Sequence, residues 1–103
     1  MATFQRVAAV TDLAPGKSMA VEVGGQKIAL FNVGGTFYAI GDTCTHRGGP
    51  LSEGTIEGTT VICPWHRACF DLGSGKNLRP PAPAPVPGYR VRIEGTDLQV
   101  EIP

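Results

Sequence analysis

A chain of 103 residues is long enough for one domain with a hydrophobic core of its own. Nine basic residues balance nine acidic ones without any Lys/Arg run, which argues against nucleic acid as a partner, and no apolar stretch approaches the length of a membrane span. Fourteen glycines and nine prolines favour many turns and few helices.

The N-terminal residues, Met1 to Arg6, lack a charged segment followed by an apolar one, so a soluble, cytoplasmic protein is expected. Phe4 to Ala8 reads as a first strand, and Thr11 to Lys17 is a turn-rich link holding Pro15-Gly16. Ser18 to Val23 alternates, Gly24-Gly25 makes a tight turn, and Lys27 to Val33 returns with Ile28, Leu30 and Asn32 on one face. Gly34-Gly35 turns again into Thr36 to Ile40. Leu51 to Gly58 reads as a compact hairpin or irregular connection, with a short helical turn at Ser52-Glu53 as the alternative. Thr59 to Ile62 and Cys69 to Leu72 are strands, and Gly73 to Lys76 is a turn. Pro80 to Pro87 favours polyproline II and is read as a stiff connector crossing the surface rather than as bait for a proline-binding module. Tyr89 to Ile93 and Leu98 to Ile102 close as a hairpin around Glu94 to Asp97, with Val91 and Ile93 opposite Arg90 and Arg92. Short strands with regular turns predict an all-β fold, a small antiparallel sandwich or barrel. One domain, residues 1–103, is expected.

The stretch from Cys44 to Asp71 carries the chemistry. Cys44-Thr45-His46 is followed by Arg47-Gly48-Gly49-Pro50, and Cys63-Pro64-Trp65-His66 comes after it. Each loop thus offers one thiolate and one imidazole. Glycine lets the backbone approach an ion, and proline fixes the turn. Zinc fingers pair like ligands, C-x2-4-C then H-x3-5-H. Mixed pairs instead let two facing loops give both thiolates to one metal and both imidazoles to another, the division a histidine-ligated two-iron cluster needs. A Cys2His2 set also serves one tetrahedral zinc, and a zinc-bound structural or interaction module is the alternative from another class. Both histidines are used by such a site, which leaves none for a histidine base or a further mononuclear iron.

C-T-H-R-G-G-P-L with C-P-W-H-R-A-C-F-D-L resembles the Rieske iron–sulfur family. Together with the flanking strands and the proline-rich segment, it is similar to the small Rieske ferredoxins of ring-hydroxylating dioxygenase systems. The resemblance implies a cluster-binding subdomain at about residues 42–74 inserted in the β fold, with one [2Fe–2S] cluster. Cys44 and Cys63 would bind the inner iron, and His46 and His66 the outer. It implies a one-electron carrier, not an enzyme in itself, taking electrons from a flavin-dependent reductase and delivering them to a terminal oxygenase. The small subunit of a nitrite reductase, or another Rieske redox module, is the alternative within the fold. The resemblance also implies that part of the proline-rich segment covers one side of the cluster. It places the partner contact around His46, Arg47, Gly48, Trp65 and His66.

Departures from the high-potential members of that family are informative. Their loop-bridging disulfide would fall at Gly49 and Trp65, their serine hydroxyl at Ala68 and their tyrosine hydroxyl at Phe70. A potential at the low end of the family span of roughly −150 to +300 mV is therefore expected. Arg67 stands where many relatives carry glycine, which puts a positive φ there in doubt. Cys69 is read as a small buried residue beneath the cluster, and Asp71 as closing a local turn.

Overall fold

The computed structural model describes residues 3–44, 49–64, 67–79 and 84–102. Their elements in chain order are β1 (Thr3–Ala9), a 3-10 turn (Val10–Asp12), β2 (Ser18–Val23), β3 (Gln26–Val33), β4 (Thr36–Gly41) and a second 3-10 turn (Leu51–Glu53). There follow β5 (Thr55–Glu57), β6 (Thr60–Ile62), β7 (Cys69–Asp71), β8 (Asn77–Arg79), β9 (Gly88–Tyr89), β10 (Val91–Glu94) and β11 (Asp97–Ile102). They form three sheets, in the orders β1-β11-β10, β2-β3-β4-β9 and β5-β6-β7-β8. Every pairing between these strands is antiparallel. The expected all-β class holds, and no described helix is long and apolar enough to cross a membrane.

The β2-β3-β4 meander follows from local chemistry. Its two turns place Gly24 and Gly25 at φ 58° and 76°, and Gly34 and Gly35 at φ 60° and 96°. Only glycine takes two such residues in succession without steric cost, and this twist matches that of the flanking strands. Asn32, buried near the second turn, is bonded through both ends of its side-chain amide. Its amide donates to the Leu13 carbonyl at 2.8 Å, and its oxygen accepts the Gly35 N–H at 2.8 Å.

β3 is the shared wall of the molecule. Its side chains alternate between two interiors rather than between interior and solvent. Ile28 and Leu30 enter a core with Ala8, Leu13, Ala39, Leu98, Val100 and Ile102. Ala29 and Phe31 enter a second core with Ile40, Leu51, Val61, Phe70, Leu72 and Val86. The second core also contains Cys44 and Cys63. β4 divides in the same way, Ala39 to one side and Ile40 to the other.

Three local expectations change. Over Leu51 to Gly58 the alternative of a short helical turn at Ser52-Glu53 holds rather than the hairpin: the segment is the second 3-10 turn followed by β5. β8 follows the Gly73 to Lys76 turn as an additional strand, paired with β7 across a bulge. Tyr89 to Ile93 is not one strand. Tyr89 pairs with Ala39 of β4, whereas Val91 pairs with Val100 of β11, so the chain changes sheets at Arg90. Ile93 lies on the edge strand β10 and is 51% exposed; alternation alone does not bury a side chain that has no layer above it.

Candidate metal centre

Two loops project from the second core, and the described backbone closes them in the same way. β4 delivers the first. Thr43 bridges Pro50 across its mouth, and the Cys44 N–H donates to the Gly49 carbonyl at 2.9 Å. β6 delivers the second. Ile62 pairs with Cys69 across its mouth, and the Cys63 N–H donates to the Ala68 carbonyl at 2.7 Å. Each cysteine thus stands at the foot of a loop whose ends its own amide ties together. Residues 45–48, 65 and 66 lie outside the described residues. His46, His66, Arg47, Gly48 and Trp65 are among them, so the expectations for these residues lie outside the described set.

Cys44 and Cys63 are 2% and 1% exposed and belong to one apolar core. None of the three cysteines forms a disulfide. Soft thiolates in a dry, uncharged surround suit an iron–sulfur cluster, whose potential is sensitive to burial. Among the described residues no group of three or more His, Cys, Asp or Glu could hold a metal, which is consistent with a donor set that draws its remaining members from the loop interiors.

Bracing residues came without a sequence signal. Asp42 is buried, and its carboxylate accepts the Ser52 N–H at 2.7 Å while its carbonyl accepts the Leu51 N–H at 2.7 Å. This fixes where the chain rejoins the body after the first loop. The proline-rich connector is anchored beyond residues 80–83, which lie outside the described set. The Val86 N–H donates to Gly75 at 2.9 Å, and the Pro87 carbonyl accepts from Gly41 at 2.8 Å. Val86 enters the same core as the two cysteines. Gly75 is at φ 80°, and a Cβ there would stand 2.1 Å from the Val86 carbonyl oxygen, so no side chain fits between turn and connector. Asp71 closes its turn as expected, accepting the Ser74 N–H at 2.9 Å and the Ser74 hydroxyl at 2.8 Å.

Two readings near the second loop change. Arg67 does take a left-handed conformation, φ 61°, despite its bulk. Cys69 is buried, but not beneath the cysteines: it belongs to neither core. Val61 and Phe70 pair on the inner face of the β5–β8 sheet, and Ile62 and Cys69 pair on the outer face. There Cys69 lines a surface cleft with Glu57, Thr60, Ile62 and Leu78. Ala68 and Phe70, the positions of the absent hydroxyls, are fully buried in the core that holds Cys44 and Cys63. They carry a methyl and a phenyl group and no hydroxyl into that core.

Comparison with known proteins extends this geometry. Residues 3–90 match the Rieske [2Fe-2S] domain family. The 3-phenylpropionate/cinnamic acid dioxygenase ferredoxin subunit of Escherichia coli K12 is 44% identical over 95 residues, covering 91% of this chain and 89% of that protein. The ferredoxin of carbazole 1,9a-dioxygenase from Nocardioides aromaticivorans IC177 superposes with a TM-score of 0.90 at 32% identity, covering 95% of this chain and 96% of that one. A ferredoxin–oxygenase complex of carbazole 1,9a-dioxygenase matches with a TM-score of 0.86 at 35% identity, over 94% of this chain and 91% of the matched chain. The chain belongs to the Rieske [2Fe–2S] family. It is a ferredoxin of the kind found in aromatic-ring dioxygenase systems: an electron-transfer component carrying a [2Fe–2S] cluster, not itself a catalytic enzyme. The zinc-module alternative is thereby set aside.

Proposed function

We propose that Cys44 and Cys63 bind one iron of the cluster and His46 and His66 the other. The observation that carries this reading is the burial of both cysteines in one core, each at the foot of a loop closed by its own amide. His46 and His66 fall by sequence inside those closed loops. When bound, the cluster supplies a site that accepts and releases one electron. The chain's own residues keep the thiolate side dry and fix the two loop feet.

The electron donor is a flavin-dependent reductase, and the acceptor is a terminal oxygenase acting on an aromatic ring. Relatives named as dioxygenase ferredoxin subunits, and a similar ferredoxin solved with its oxygenase, support this assignment. Both encounters are transient and use small interfaces, centred on His46, Arg47, Gly48, Trp65 and His66. The protein works in the cytoplasm, where its three unpaired-by-disulfide cysteines are at home. Residues 1–103 act as a single domain, with the cluster-binding subdomain at about residues 42–74.

Electron paramagnetic resonance of the reduced protein, with iron and sulfide analysis, tests the ligand set. Two irons, two sulfides and a Rieske-type spectrum are expected. One metal ion per chain, or an unchanged spectrum in both His46→Ala and His66→Ala, overturns it. Reduction by a flavoprotein reductase and reoxidation by an aromatic-ring oxygenase test the role.

A further inference from the structure

The two ligand loops are closed alike but differ in sequence where they turn back. Counting from each cysteine, the residue before the accepting carbonyl is Gly48 in the first loop and Arg67 in the second. Arg67 is the one described non-glycine residue with positive φ. A Cβ opposes this conformation, and a non-glycine residue persists in it when its surroundings hold it there. One neighbour does so visibly. The Cys69 thiol donates to the Arg67 carbonyl, with sulfur and oxygen 3.7 Å apart. The next carbonyl along, that of Ala68, accepts the Cys63 N–H. Two successive carbonyls are therefore held from opposite ends of the loop, one by the ligand's own amide and one by Cys69.

The burial pattern explains why a thiol can serve here. Cys69 is 4% exposed yet sits on the outer face of the sheet, away from both cores. It belongs to neither interior, and among the described residues its thiol makes a hydrogen bond to the Arg67 carbonyl.

We infer that Cys69 is a positioning residue: its thiol clasps the Arg67 carbonyl and so lets a non-glycine residue make the left-handed turn directly after His66. The inference rests on the ligand assignment above, since the turn matters for function through the loop that bears His66. A thiol is a weak donor, so the effect is modest and is best read as a coupling between the two residues.

The test compares the cluster-loaded wild-type chain with Cys69→Ala, Cys69→Ser, Arg67→Gly and the double variant Cys69→Ala/Arg67→Gly. The rate of cluster loss to a chelator is followed by visible absorbance, and the reduced spectrum by paramagnetic resonance. Loss of one hydrogen bond makes Cys69→Ala release its cluster about threefold to tenfold faster. Cys69→Ser keeps a donor and stays within about twofold of wild type. In the Arg67→Gly background the Cys69→Ala change has almost no effect, because glycine makes the turn unaided. An equal Cys69→Ala effect in both backgrounds, or a Cys69→Ser variant as labile as Cys69→Ala, overturns the clasp and leaves simple packing. The ligand assignment fails separately, if the wild-type chain binds no two-iron cluster. In that event urea unfolding of the same variants still decides the clasp, since the coupling between positions 67 and 69 must appear in the polypeptide itself.

Discussion

β3 separates two interiors built on different terms. On the Ile28/Leu30 side, the core is closed by long strands, β1, β3 and β11, and its fully buried side chains are all aliphatic. On the Ala29/Phe31 side, the strands beyond β3 and β4 are two to three residues long. Two thiols lie in the packing, and single backbone hydrogen bonds tie in the connector. The first interior is a self-sufficient hydrophobic body. The second is a core that also holds the two cysteines proposed as ligands, and its short strands give it little ladder of its own. Local stability in a protein follows such differences in burial and hydrogen bonding, so the ligand side should depend on its cofactor in a way the body does not.

The largest expected effect separates the two sides outright. Cys63→Ala removes a proposed ligand, so all visible cluster absorbance and all electron transfer should disappear. The far-ultraviolet circular dichroism should keep the strand signal of the body, because no residue of its core has been touched. Metal binding is coupled to folding of the segment that supplies the ligands. If the whole strand signal melts with the cluster, the two interiors are one cooperative unit and the comparison fails.

Neighbouring residues on β3 sharpen it. Leu30→Ala and Phe31→Ala delete side chains from opposite interiors. Costs of about 2–5 kcal/mol for the leucine and about 3–5 kcal/mol for the phenylalanine are typical of buried sites. Urea unfolding should register both. Only Phe31→Ala should also speed cluster loss, since only Phe31 packs in the core that holds Cys44 and Cys63. Equal acceleration by both would mean that strain crosses β3 freely.

What the sequence made legible divides along the same line. The β2-β3-β4 meander could be read because its turns and its alternation are local. The family could be read because residue type and spacing around the cysteines carry metal chemistry by themselves. Pairing of Thr3 with Ile102, and of Ala39 with Tyr89, joins segments far apart in the chain, and no local pattern announces it. Asp42 and Val86 are likewise ordinary residues until the fold brings Ser52 and Gly75 to them. Cys69 is different, because a signal was present. Alternation along Cys69-Phe70-Asp71 puts Cys69 opposite the inward Phe70, and applying it would have placed the thiol on the outer face.

A smaller effect concerns tuning of the ligand core without damage to it. Ala68 and Phe70 are both buried there and offer no hydroxyl. Ala68→Ser and Phe70→Tyr each introduce a donor on the sulfur side, which stabilises the added negative charge of the reduced state. One hydrogen bond to a charged group is worth about 1.5–3 kcal/mol, or roughly 65–130 mV for a one-electron couple. A redox titration should show each midpoint rising by up to that amount. Substitutions of the same kind in the body, such as Ala39→Ser, should leave the potential unmoved. A wild-type midpoint already in the upper half of the family span would contradict the account of the missing hydroxyls.

The smallest effect belongs to the seam between the interiors. Tyr89 packs against the body core from β9, while its neighbour Gly88 pairs with Ile40 of the ligand core. Burial raises the Tyr89 pKa above its ordinary value of 10.0 by disfavouring the phenolate. The folded state therefore holds this proton more tightly than the unfolded chain does. Stability from Tyr89 is intact below about pH 10 and declines as pH rises through the raised pKa. Melting temperatures of the wild type should fall more steeply above pH 10 than those of Tyr89→Phe, which has no proton to lose. Cluster absorbance at matched distance below the melting point should be the same in both, since the phenol belongs to the body. If the two proteins lose stability in parallel with pH, burial of the Tyr89 phenol is not coupled to folding.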